Sequence, residues 1–187
     1  MNRLPSSERE LLDRARQHDE PAFAALVELY TNPVFRIVRR MVPDRMEAEG
    51  IVQETFWRFW QALPRYSPDR PLLPYLATIA SNLARDRYRR DRRLEDVSVE
   101  DILEGRSDEA DADLEQALDD EKALERLAAC VQDLPFAYRG VISLRYEAGM
   151  SYEEIAATLS LPLNTVRTHL RRAKQVLRRK LEETDNG

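Results

Sequence analysis

Apolar positions recur along this chain at helical spacing. Phe23, Leu26, Val27 and Tyr30 fall at i, i+3, i+4 and i+7, and Val34, Ile37, Val38 and Met41 repeat the pattern. Punctuation between these stripes follows helix chemistry. Ser7 with Glu10 forms a capping box for a first helix, and Asp19 stands before Pro21. Asn32 followed by Pro33 reads as an N-cap with proline at the first helical position, so it predicts the start of a separate helix. Asp44 with Glu47 opens a longer helix to about Leu63. The stretch Pro64 to Pro74 holds four prolines and predicts a loop, followed by a helix from Tyr75 to Arg93.

The pattern fades between Leu94 and Asp113 and resumes near Leu114. Leu124, Leu127, Ala128 and Val131 predict one helix; Leu134-Pro135 begins another, which ends at Gly149. Ser151 with Glu154 makes a second capping box, for a short helix through Ile155 and Leu159. Ser160-Leu161-Pro162 then breaks the chain before a long helix to about Leu181. Strand-period alternation and internal repeats are absent from the sequence. The expected fold is all-α: two small helical domains, 1–93 and 114–187, joined by an acidic flexible linker over 94–113, the second domain a helix-turn-helix.

Composition narrows the function classes. The 187 residues suffice for two small cores. Five glycines argue against a β-sandwich and against glycine-rich phosphate loops. One cysteine excludes a disulfide framework, and two histidines in unlike contexts, His18 and His169, argue against a metal centre. Neither a nucleophile–base pair nor a cofactor motif stands out, so the expectation is a non-enzyme without cofactor. Met1 to Asp19 is charged and unlike a signal peptide, and the longest apolar run, Phe23 to Tyr30, is interrupted by Glu28. The expected location is the cytoplasm, with no membrane segment.

Charge is divided unevenly. From Leu94 to Glu121 there are thirteen acids opposed only by Arg106, so this stretch carries −12 and the rest of a chain of net −5 carries +7. Arg85, Arg87, Arg89, Arg90, Arg92 and Arg93 form one basic cluster; Arg167, Arg171, Arg172, Lys174, Arg178, Arg179 and Lys180 form another. Separate basic faces point to a polyanion.

The faces carry different chemistry. On the helix from Tyr75, Leu76, Ile79, Ala80 and Leu83 share an inward arc, while Thr78, Ser81, Asn82, Arg85, Arg89 and Arg92 lie opposite with Tyr88 at the edge. Such a face contacts phosphates through arginine and bases through amide, hydroxyl and ring. On the helix from Asp44, Trp57 projects off the core stripe beside Gln53 and Gln61, with Trp60 at the flank, which is the composition of a protein–protein hot spot or of a tryptophan packed on another helix of the same domain. On the last helix Val166, Leu170, Ala173, Leu177 and Leu181 turn inward and Arg167, Thr168, Arg171 and Arg172 turn outward, in the layout of a recognition helix for the major groove. His169 sits at the margin of that face. Cys130 reads as a small hydrophobe.

Ala48-Glu49-Gly50-Ile51-Val52-Gln53-Glu54-Thr55-Phe56 resembles the polymerase-binding helix of the extracytoplasmic-function (ECF, group IV) sigma factors. Arg70-Pro71, Tyr75-Leu76, Ile79-Ala80 and Asn82 to Arg90 resemble their minus-10 helix. Leu134-Pro135, Leu144-Arg145-Tyr146, Gly149, Ser151 to Ala156 and Thr165-Val166-Arg167 resemble their minus-35 helix-turn-helix. The resemblance implies a transcription-initiation subunit whose partners are core RNA polymerase, promoter DNA and an anti-sigma factor. It implies core contacts at Gln53, Glu54, Trp57, Trp60 and Gln61. It implies minus-10 contacts at Tyr66, Ser67, Asp69, Tyr75, Asn82, Arg85 and Arg89, and minus-35 contacts at Thr165, Arg167, Thr168, His169, Arg171, Arg172 and Lys174. It also suggests that the acidic linker threads the RNA-exit channel with its carboxylates in place of RNA phosphates, the alternative being a solvated tether for which only length matters. Four positions depart from the pattern: Gly50 where an acid is usual, Tyr75 for Trp, Ser81 for Arg and Asn164 for Gly. A free-standing repressor would need a dimer surface and a single basic face, whereas this sequence has two basic faces and no heptad seam.

Overall fold

A computed structural model describes residues 6–68, 70–94 and 129–185. Apart from Leu94, which ends a helix, the predicted linker lies outside them, as does the start of the second block. Helices α1 (Ser6–Ala15), α2 (Glu20–Met41), α3 (Arg45–Ala62) and α4 (Leu72–Leu94) build the first block, with a 3-10 turn at Leu63–Arg65. A helical stretch at 129–132, then α5 (Phe136–Tyr146), α6 (Tyr152–Leu159) and α7 (Leu163–Asp185), build the second. No strand occurs among the described residues.

The caps behave as the side-chain chemistry requires. Asp19 Oδ1 accepts from the Ala22 amide at 3.2 Å, and Asp44 Oδ1 accepts from the Glu47 amide at 2.8 Å. The Ser151–Glu154 box is reciprocal: Glu154 N donates to Ser151 Oγ at 3.2 Å, and Ser151 N donates to Glu154 Oε2 at 2.7 Å.

Three local expectations change. Asn32-Pro33 does not start a helix; α2 runs through it with Pro33 inside. Leu26, Val34, Ile37, Val38 and Met41 are all buried on one continuous stripe, so packing on both sides of the proline holds the helix in phase. Helix α4 starts at Leu72 rather than Tyr75 because Leu72 is buried in the first core, and Pro74 sits harmlessly in the first turn. The left-handed residue of the helix-turn-helix is Ser160, with φ 53°, while Asn164 lies inside α7. The turn therefore makes no demand on Asn164.

Two cores form. The first gathers Leu12, Leu26, Val38, Phe56, Phe59, Leu63, Leu72 and Leu76. The second gathers Val141, Leu144, Ile155, Val166, Leu170, Ala173 and Leu177, and takes in Ile37 of α2 and Ala77 of α4. Half-buried Cys130 packs against this second core. The two blocks thus share apolar surface, which the expectation of two separately packed domains did not include.

Candidate nucleic-acid and polymerase interfaces

The outer stripe on α3 is organised by its 3.6-residue period. Residues 46, 50, 53, 57 and 61 fall on one side, and Met46, Gly50, Gln53, Trp57 and Gln61 are all exposed there. Trp57 is 57% exposed and Met46 81%. Trp60 packs at the rim, its ring 4.6 Å from that of Phe23 and 6.0 Å from that of His18. The adjoining groove, about 400 Å³, is lined by Glu20, Phe23, Gln53, Phe56, Trp57 and Trp60, so its walls are mainly aromatic. Glu54 is half-buried and accepts from Arg58 Nε at 2.8 Å. At Gly50 an added Cβ would meet nothing within 4 Å, so the fold does not require glycine there. Met46 extends this stripe beyond the residues expected from sequence; its helical phase with Trp57 was the available signal.

On α7 the inward stripe is Val166, Leu170, Ala173 and Leu177, all buried. Arg167 is exposed and Thr165, Thr168, Arg171, Arg172 and Lys174 are half-buried on the remaining surface. Thr168 Oγ1 donates to the Asn164 carbonyl at 2.9 Å. His169 does not join them. It is 7% exposed, with its ring 5.2 Å from that of Tyr138. Burial, and then the Arg172 charge, hold its imidazole below the ordinary histidine range. Its marginal phase lets Tyr138 of α5 draw it into the core.

The third surface is the polar side of α4 with the 64–75 segment. Asn82 Oδ1 accepts from Arg85 Nη2 at 2.6 Å, and Arg89 is exposed. Ser67 is exposed, and Asp69 lies outside the described residues. Tyr66 departs from expectation: it is 4% exposed, its ring 5.6 Å from Phe59 and 4.8 Å from Tyr75, and its hydroxyl donates to the Arg70 carbonyl. An aromatic side chain following the Leu63–Arg65 turn fills the first core rather than facing solvent. Ser81 is also buried, its hydroxyl donating to the Ala77 carbonyl at 2.6 Å. Half-buried Tyr75 remains on the groove that α4 forms with the second block, about 820 Å³, alongside Arg70, Thr78, Asn82, Arg85, Glu154 and Thr158.

No group of residues suited to a metal ion occurs among the described residues, and no described helix is long and apolar enough to cross a membrane.

A helix-turn-helix, a polar helix face and an exposed stripe centred on Trp57, all on one chain, are the surfaces that a helical promoter-recognition factor needs. Comparison with known proteins agrees. The Sigma-70 region 2 family matches residues 26–94, and the Sigma-70, region 4 family matches residues 124–177. The chain is 31% identical over 184 residues to the RNA polymerase sigma-H factor of Pseudomonas aeruginosa, covering 94% of each. It is 32% identical over 178 residues to the ECF RNA polymerase sigma-E factor of Escherichia coli K12, covering 92% of this chain and 93% of that one. The fold matches CnrH in complex with the cytosolic domain of CnrY, at a TM-score of 0.63 and 28% identity over 95% of this chain and 99% of that one. The chain belongs to the ECF sigma factors, promoter-recognising factors of transcription initiation.

Proposed function

We propose that this factor divides its work by block. Residues 1–93 hold core RNA polymerase through the Gln53, Trp57 and Gln61 stripe, with Glu54 and Trp60 flanking it. Tyr75, Asn82, Arg85 and Arg89 take the melted minus-10 strand, with Ser67 and Asp69 on the adjoining segment. Residues 114–187 dock on the minus-35 duplex through Thr165, Arg167, Thr168, Arg171, Arg172 and Lys174. The polymerase supplies the chemistry, and the factor has no catalytic step of its own. It acts in the cytoplasm, where polymerase and promoter are.

The observation that carries this reading is the exposure of Trp57, a large aromatic held at the surface of a well-packed helix beside an apolar groove. Exposed aromatics in such a setting anchor protein interfaces. The linker at 94–113 joins the blocks. Its twenty residues span about 25 Å as a coil and about 65–70 Å when extended, so reaching two promoter elements favours a straightened path such as an RNA channel. A protein partner is proposed by likeness to CnrH, which was solved in complex with the cytosolic domain of CnrY, and membership of the ECF family makes an anti-sigma factor the expected kind. Gel filtration with core polymerase tests the assignment: co-elution supports it, and a free DNA-binding dimer that ignores polymerase contradicts it.

A further inference from the structure

The polar face of α4 is covered by the chain's own second block. Arg85 Nη1 donates to the Leu159 carbonyl at the C-terminal end of α6, and Thr78 Oγ1 lies 3.1 Å from Thr158 Oγ1. Tyr88 stacks on Phe136, with ring centroids 4.1 Å apart and planes 7° from parallel. Contacts with α2 fasten the same closure. Glu147 pairs with Arg40, at 2.9 Å, and with Arg36, at 3.4 Å. Gln132 Nε2 donates to the Arg39 carbonyl at 2.6 Å, and Ser143 Oγ donates to the Ile37 carbonyl at 3.2 Å.

The Arg85 contact has a particular chemistry. The last carbonyls of a helix carry the negative end of its dipole and lack partners within the helix. A guanidinium seated there meets the same demand for donors that a phosphate oxygen makes. The C-terminus of α6 thus occupies the position that Arg85 would give to a nucleic-acid strand.

We infer that the factor masks itself: its helix-turn-helix block closes over α4, and Arg85 exchanges between the α6 carbonyls and the phosphate of the melted strand. This inference rests on the assignment of α4 to the minus-10 strand. Strand binding and closure are mutually exclusive, so apparent affinity falls with the fraction of open factor.

A crosslink tests this in the full-length factor. Thr78→Cys with Thr158→Cys, in a Cys130→Ser background, places two thiols where the hydroxyl oxygens are 3.1 Å apart. The probe is a fluorescent single-stranded oligonucleotide carrying the minus-10 element of a promoter that the factor transcribes. Oxidation of the pure protein should form the bond and abolish binding of this strand, and reductant should restore it. Failure of the bond to form, or undiminished binding by the oxidised protein, overturns the inference. Should that variant not fold, Glu147→Ala serves instead: opening should raise oligonucleotide affinity roughly threefold or more, and unchanged or lower affinity overturns the inference. If neither the wild type nor the opened Glu147→Ala factor binds any promoter strand, the α4 assignment fails, while formation of the bond still reports closure.

Discussion

His169 lies against Tyr138, ring centroids 5.2 Å apart and planes inclined by 57°, and this contact turns one residue of a basic helix into the core. The neutral imidazole is the form the folded state favours, since burial and then Arg172 lower its pKa. As pH falls through the ordinary histidine range near 6.5, the unfolded chain binds the proton first, so stability drops, by at most about 1.4 kcal/mol per pH unit. Thermal melts at pH 7.5 and 5.5 should show a larger acid loss for wild type than for His169→Leu. Equal losses would place the histidine in solvent.

Trp57→Ala should cost about 2 kcal/mol or more of core-polymerase affinity. The residue is 57% exposed, so melting temperature should stay nearly unchanged. A large fall in melting temperature with core affinity retained would make Trp57 a packing residue. Titration of labelled core alongside a melt separates the two.

Pro33 is an interior helix residue whose missing amide leaves the Leu29 carbonyl without its helical donor, and Leu29 is 57% exposed. Replacing it by alanine restores that bond but frees the unfolded chain. Pro33→Ala should stabilise the factor by about 1–2 kcal/mol, read as a higher denaturant midpoint. Destabilisation would show that the proline sets a bend the packing needs.

Arg171→Ala should cost roughly 1–3 kcal/mol of minus-35 binding if the side chain reads a base. Arg178→Ala, further along the helix, should instead lower the salt slope by about one and weaken all sequences alike. Affinity measured against salt on specific and scrambled duplexes distinguishes these effects.

Much of the architecture was legible in sequence because caps and periodicity act locally. Asp44, Ser151 and Leu134-Pro135 mark helix starts through hydrogen bonds or φ values that depend on their neighbours alone. What escaped depends on distant contacts. Asn32-Pro33 has the local form of a helix start, and only the shared stripe from Leu26 to Met41 overrides it. Tyr66 and His169 carry polar atoms that suit a binding face, but Phe59 and Tyr138 supply the packing that buries them. The closure of the second block over Asn82 and Arg85 joins positions more than seventy residues apart, as in the Arg85–Leu159 bond, and no periodicity announces it.

Run-off transcription with purified core polymerase on fragmented genomic DNA tests the central claim most directly. The factor should produce discrete transcripts that are absent with core alone, and these should disappear when Arg171 and Arg172 are both replaced by alanine. Core-dependent initiation that is unchanged by the factor, at every fragment tried, would contradict its assignment as a promoter-recognising initiation subunit.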